Sequence, residues 1–291
     1  MISGFRFNRI VIIQSLEATE TQNGDMISNF IRGEQEIVGT NLPVEVINCS
    51  YAGQFIHIVQ QLTTEAAAGS IPLLHVECHG DAKEGLEFEN GSMLSWEKVA
   101  GALLPLNIAS GFNLLSVFSA CFGAHFLGQM GVISAAPCWC MVAPTETVDP
   151  SEIFGGFCAF YSTLFRRKDM GSAVKEIARR RLTRGRWLSE FAEVWFETVV
   201  TGYVEDRCIK SAARERAKKI FRKLKEKGNH KSIGGILRLL RDRNRQDLLG
   251  EYFNTYFITD RLPENSLRFE NAKRRVMTVL SRLRSTGRYI V

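Results

Sequence analysis

The sequence predicts an α/β fold: a parallel sheet with helices on both faces, followed by a basic, all-helical C-terminal region. Three observations carry that prediction. Five short apolar runs alternate with helical patterns through the first half of the 291 residues, the order from which βαβ units are built. Charge is divided between the halves: residues 1–160 hold 5 Lys+Arg against 16 Asp+Glu, a net −11, and residues 161–291 hold 32 against 15, a net +17. Such a split marks two units with different partners, because an acidic half repels polyanions and a basic one gathers them. Finally, 45% hydrophobic residues with 23% charged residues and 7 Pro exclude a disordered tail, a collagen-like repeat and a small disulfide scaffold.

The strands are expected at 9–14 (RIVIIQ), 44–49 (VEVINC), 73–78 (LLHVEC), 114–118 (LLSVF) and 138–143 (CWCMVA). Between them, 25–32, 54–68, 95–104 and a stretch after Cys121 place apolar residues at helical spacing. Residues 85–94 (GLEFENGSML) put Asn90-Gly91 between two short apolar pieces, a strong hairpin signal. Helices are then expected at 151–165 and 171–182, and from Trp187 onward the pattern reads as helical: 210–227, ended by Gly228-Asn229, then 233–243, 246–257 and 266–283. The expected domains are 1–185 and 186–291.

Seven Cys, an odd number and mostly inside apolar runs, point to a reducing compartment and a cytoplasmic protein. The first apolar run, 10–13, is too short for the apolar core of a secretory signal. No Asp, Glu, Lys or Arg occurs between Lys98 and Glu146, but Pro105, Asn107, Asn113, His125, Gln129, Pro137 and several Gly break that stretch. A spanning helix needs about 20 apolar residues in a row, so two buried strands joined by a helix are expected there, and no membrane association.

In open parallel sheets ligands bind beyond the carboxyl ends of the strands. The third run ends in Cys78-His79-Gly80-Asp81 and the fourth in Ser119-Ala120-Cys121-Phe122-Gly123. Neighbouring strands would bring an imidazole and a thiol to one sheet edge. That pair suits nucleophilic catalysis, since the thiolate attacks and a nearby His stabilises it and later protonates a leaving amine. Cys121 would also open the following helix, whose N-terminal dipole favours a thiolate. Gly80 lets the backbone approach a bound carbonyl, and its N–H with that of Cys121 would form an oxyanion hole.

These residues resemble the caspase-like cysteine peptidases. Caspases carry Gln-Ala-Cys-x-Gly with the His about 50 residues upstream, and here Ser119-Ala-Cys-x-Gly123 follows His79 by 42 residues. Together with residues 84–97, the form is most similar to the bacterial CHAT branch, over about residues 5–183. The resemblance implies a caspase-like parallel-sheet sandwich for 1–185 and a cytoplasmic hydrolase, a thiol protease. It would be a regulated cysteine endopeptidase that cleaves a partner protein with a His79–Cys121 dyad and no cofactor or metal, in a bacterial stress or defence pathway such as antiviral defence. Caspases select Asp with Arg side chains and a Gln two residues before the nucleophile. In this chain residues 15–25 hold no Arg or Lys, and Ser119 stands where the Gln would be. The substrate pocket of that fold maps onto 15–17, Asp81, Ser119 and 143–149. Its acids Glu17, Asp81, Glu146 and Asp149, with no cation, favour a basic or neutral side chain before the cleaved bond.

Each residue type also has a plainer reading. Cys78, and Cys121 on its own, read as buried small hydrophobes; His75 reads as a core residue and His125 as one turn past the nucleophile. Cys138-x-Cys140 lacks the second pair that zinc requires. No Gly-rich phosphate loop follows the first strand, which argues against a nucleotide-binding protein. The competing function is a non-catalytic caspase-like adaptor whose region 187–291 binds a regulatory protein or nucleic acid.

Overall fold

The computed structural model describes residues 5–131, 134–228 and 231–290, and the chain divides into two compact units. One runs to Met130 and resumes over Pro137–Ala192; the other takes 131–136 and everything from Glu193 onward. The first unit is a mixed α/β structure. Its elements are β1 (Arg9–Ser15), α1 (Asn23–Val38), β2 (Val44–Asn48), α2 (Ala52–Ala67), β3 (Pro72–Asp81), β4 (Gly85–Glu87), β5 (Met93–Leu94), α3 (Trp96–Ala109), β6 (Leu115–Ser119), β7 (Cys140–Pro144), α4 (Pro150–Arg167), α5 (Met170–Arg179) and β8 (Trp187–Phe191).

The sheet order is β2-β1-β3-β6-β7-β8, parallel through β7. Side chains alternate along each strand, so the helices sort by face. His75 on β3 packs on Phe157 and Tyr161 of α4, and Gly24 of α1 lies against Ile12 and Gln14 on that same face. On the other face Phe118 of β6 meets Trp96 of α3, which packs beside α2. Because both faces are covered, the strand interiors read as continuous apolar runs rather than alternations. Ile10–Ile13, Leu73, Leu74, Val76 and Leu115 are almost fully buried.

β3 is the longest strand, and its two halves have different neighbours. Its first seven residues pair with β1, whereas His79, Gly80 and Asp81 pair antiparallel with Glu87, Leu86 and Gly85 of β4. The hairpin expected at 85–94 is therefore present, turning at Gly91 with φ 77°.

Three readings are corrected. Residues 187–191 are a strand rather than the start of a helix, pairing antiparallel with β7, so the first unit ends a few residues beyond 185. Trp187 is buried against Gly156 of α4, where a Cβ would come within 2.4 Å of the indole. The stretch after Cys121 is a seven-residue 3-10 helix, Gly123–Gln129, rather than an α-helix. The pattern at 246–257 divides into a π-helical turn, Asp247–Glu251, and a short α-helix.

The second unit contains α6 (Ala192–Arg207), α7 (Lys210–Glu226), α8 (Ile233–Gln246), α9 (Tyr252–Tyr256), α10 (Asn265–Arg268) and α11 (Glu270–Ser285). α7 packs on α8, and Phe196, Phe253, Tyr256, Phe257 and Phe269 form an aromatic cluster. Gly228 follows α7 at φ 71°, as a helix stop should; Asn229 lies outside the described residues. Among these residues no helix is long and apolar enough to cross a membrane.

A buried carboxylate helps to fasten α1 to α4, beside the bond from Asn23 Nδ2 to Pro150 O at 3.1 Å. Glu34 is buried and accepts from Arg166 Nε at 2.8 Å, Nη2 at 2.9 Å and Ser162 Oγ at 3.1 Å. The Arg166 bond, the largest influence, holds the Glu34 carboxyl below its ordinary 4.5. A depressed folded-state pKa contributes stability that is present above the unfolded value and lost as pH falls through the folded one. Glu34→Gln should therefore lower the melting temperature at pH 7, with the deficit shrinking below pH 4.5; thermal melts across pH check this, and a deficit independent of pH would contradict it.

Candidate functional site

Three parallel strands, β1, β3 and β6, end side by side, with Ser15 level with Cys78 and Glu77 level with Ser119. The segments beyond those ends are therefore gathered at one edge: the loop 16–22, His79-Gly80, and Ala120-Cys121-Phe122. A Cβ on Gly80 would come 2.3 Å from the Cys121 carbonyl oxygen and 3.3 Å from the Ala120 Cβ. Gly80 thus allows the His79-Gly80 backbone to touch the backbone of Cys121. The sequence leads to an expectation that this glycine approaches a bound carbonyl; the carbonyl it approaches is that of Cys121 itself.

Cys121 sits on a sharp turn. Gly123 N donates to Ala120 O at 3.1 Å, and Phe122 adopts φ 59°, ψ 16°, a left-handed conformation that a bulky side chain rarely takes. The Phe122 amide donates to Glu146 O at 3.2 Å, and its ring meets His125 edge-on. Among the described residues the Cys121 amide donates to no backbone carbonyl. An α-helix dipole behind the thiol is absent, because the segment after it is a 3-10 helix.

The imidazole of His79 is half exposed and bonded through Nε2 to Glu20 Oε1 at 2.8 Å. A carboxylate accepts and does not donate, so Nε2 is the donor in this bond and Nδ1 is the ring nitrogen left to face other groups. Glu20 is itself fixed. Its Oε2 accepts from Glu17 N at 2.7 Å, and its own amide donates to Glu17 O at 3.0 Å. Gln22 Nε2 donates to the carbonyls of Glu17 and Glu20, while Gln14 at the end of β1 donates to Gln22 Oε1. The ring is engaged by Glu20, and among the described residues no hydrogen bond joins it to the Cys121 thiol.

Beside His79 opens a cleft of about 550 Å³ lined by Glu17, Glu20, His79, Glu87, Phe88, Glu89, Asn90 and Gly91. Phe88 turns inward onto Phe55 of α2, whereas Glu87 and Glu89 on either side of it are exposed. The Glu89 amide donates to Ser15 Oγ at 2.9 Å, which ties the hairpin to the end of β1. Glu17, Glu87 and Glu89 form no ion pair among the described residues, and no Lys or Arg lines the cleft.

Of the five residues expected in the substrate pocket, Glu17 lines this cleft. Asp81 is exposed and accepts from the amides of Lys83 and Glu84; the Glu84 bond most of all holds its carboxyl below 3.8. Asp149 caps α4, its carboxyl lowered chiefly by the Ser151 hydroxyl. Ser119 is buried, with its Oγ unpartnered among the described residues. Glu146 contributes its carbonyl to Phe122 N, and its Cβ and Cγ lie against Gly185. Glu20, Glu87 and Glu89 do not stand out in the sequence. The signal for Glu20 is its place in the loop after β1, and for the other two the hairpin that pairs with His79.

Of the other described histidines His57 and His125 are exposed, and of the other cysteines Cys49, Cys78, Cys138, Cys140 and Cys208 are buried while Cys158 is half-buried. His75 is wholly buried, bonded to the Tyr161 hydroxyl at 2.9 Å and lying 3.5 Å from Glu77. Burial pushes the Cys78 thiol well above its ordinary value, with a lesser contribution from Glu77; it also lifts Cys49, Cys158 and Cys208 to about 11 and Cys138 to about 12. No group of three or more His, Cys, Asp or Glu among the described residues is arranged to hold a metal ion. Comparison with known protein families and with curated proteins returns no match.

Since thiolates react and thiols do not, brief iodoacetamide treatment of the native protein at pH 7.5 should alkylate Cys121 before Cys49, Cys78, Cys138, Cys158 or Cys208. Peptide mass mapping reads this out, and preferential labelling of any of those five would contradict it.

Proposed function

We propose that the chain is a caspase-like cysteine endopeptidase of the CHAT type, acting in the cytoplasm on a partner protein as a regulated step of a bacterial defence or stress pathway, and carrying a basic helical region after its catalytic domain. The observation that carries the reading is the contact between Gly80 and the Cys121 carbonyl. It brings the imidazole-bearing and thiol-bearing motifs to one edge of a mostly parallel sheet.

In this mechanism His79 takes the Cys121 proton, and the thiolate attacks the scissile carbonyl carbon. A C–S bond forms as the carbonyl π pair moves onto oxygen, where the amides of Gly80 and Cys121 receive it. Collapse breaks the C–N bond while His79 returns its proton to the leaving amine, giving a thioester. Water then attacks as His79 takes a proton from it, and the C–S bond breaks to release the acid and regenerate the thiol. Glu20 acts as a positioning residue that holds the His79 ring and its tautomer.

Substrate choice in this reading follows from the cleft. Glu17, Glu87 and Glu89 would repel an Asp side chain and leave its carboxylate without a partner. A Lys or Arg side chain gains charge-assisted hydrogen bonds of roughly 1.5–3 kcal/mol each, so one such bond distinguishes arginyl from uncharged substrates by about tenfold to a hundredfold.

A positional-scanning library of fluorogenic peptides tests this choice: cleavage after Arg or Lys is expected, whereas preference for Asp would refute the electrostatic argument. Cys121→Ala and His79→Ala should each abolish turnover with cooperative melting intact, and their losses should be non-additive. Glu20→Gln should lower kcat on the order of 10–100-fold with little change in KM. Full turnover in Cys121→Ala or His79→Ala sinks the peptidase, and the adaptor reading then takes its place.

A further inference from the structure

We infer that the exposed face of α7 binds the phosphate backbone of a nucleic acid, independently of any chemistry at Cys121. Lys210, Arg214, Lys218, Lys219, Arg222, Lys223, Lys225 and Lys227 are all exposed along or just past this 17-residue helix. Among the described residues only Lys218 of these forms an ion pair, with Glu215 at 2.8 Å. Lys218, Lys219 and Arg222 lie three, four and seven residues after Glu215 and so share one helix face with it, and Lys218 first, then Arg222 and Lys219, hold the Glu215 carboxyl below its ordinary 4.5. Like charges three and four residues apart repel, so the row weakens α7 unless an anion of similar length lies along it. At 1.5 Å per residue the helix spans roughly 25 Å, over which one strand of a duplex presents about seven phosphates.

The chemistry of the face selects among polyanions. An amphipathic helix that enters a lipid surface needs an exposed apolar side. Here Ala213 and Ala217 are buried, Ile220, Phe221 and Leu224 are half-buried, and the helix packs on α8. Protein interfaces are enriched in aromatic residues and Arg and depleted in Lys, yet six of the eight exposed cations are lysines and no aromatic stands among them. α7 contains no Asn or Gln, the residues that read adenine edges. The face is therefore suited to positioning a sugar–phosphate backbone without reading its sequence.

The test uses the full chain and fluorescein-labelled single-stranded RNA and duplex DNA, each about 20 nucleotides long, followed by anisotropy. If about four cations engage phosphates, affinity should fall about fiftyfold for the single strand and about 150-fold for the duplex between roughly 50 and 200 mM salt, and two unrelated sequences should bind alike. Replacing Lys218, Lys219, Arg222 and Lys223 together by Gln should weaken binding at least tenfold; a Glu series covers the case in which the Gln series misfolds, with circular-dichroism melts as the folding check. Relative affinity for RNA and DNA tells which backbone fits better. Unchanged binding by a folded variant, no binding of either probe at low salt, or polyglutamate binding as tightly as nucleic acid at equal charge would overturn the proposal.

Discussion

The site depends on one steric constraint: the absence of a side chain at position 80. Two neighbouring parallel strands deliver their ends to the same edge, but they bring functional groups together only if the chains beyond them can close. Gly80 permits that closure, since even a methyl group there would overlap the Cys121 carbonyl. The constraint reaches into β3, whose last three residues leave the central sheet to pair with β4. It reaches equally into the turn at Ala120–Gly123, where Phe122 is held left-handed and a bulky residue occupies a conformation that costs on the order of 1–3 kcal/mol. Strain of that size is retained where surrounding packing over-determines it, and here the Glu146 carbonyl and the His125 ring both hold Phe122.

Around this contact the polar groups are layered by depth. Beneath the edge, His75, Tyr161 and Glu77 form a buried set that faces α4. At the edge, Glu20 holds His79 while the loop that carries Glu20 is held through Gln22 by Gln14 of β1. Outside it, the hairpin adds Glu87 and Glu89 and is fastened by Ser15. The cleft therefore concentrates negative charge beside a histidine that a carboxylate already orients. This arrangement favours a cationic side chain in the proposed reaction and supplies the fixed ring geometry that proton transfer needs.

Much of this is legible in the amino-acid sequence. Residues 9–14 and 73–78 stand out as short, mostly apolar runs, and His79 and Cys121 because each follows such a run. The rest depends on tertiary context. Trp187–Phe191 is five residues long, only partly buried and paired with a single neighbour, so its short pattern cannot outweigh the helical residues after it. The segment after Cys121 has helical spacing, but the left-handed Phe122 and the tight Ala120–Gly123 turn wind it as a 3-10 helix. The acids are harder still. Asp81 and Asp149 lie where a pocket residue would be, yet nearby backbone amides capture both carboxylates. Glu20, Glu87 and Glu89 gain their meaning only when a loop and a hairpin, both remote from Cys121 in sequence, converge on His79.

The proposal that His79, beside the acidic cleft, activates Cys121 is tested most directly by the rate at which Cys121 is alkylated by an arginyl peptide chloromethyl ketone, followed by intact mass. The account predicts a single adduct on Cys121. It also predicts a rate that drops at least a hundredfold in His79→Ala, in keeping with the usual contribution of a positioned acid–base group, and an aspartyl reagent that reacts far more slowly than the arginyl one. Equal rates for the wild type and His79→Ala, or an adduct on any other cysteine, would contradict it.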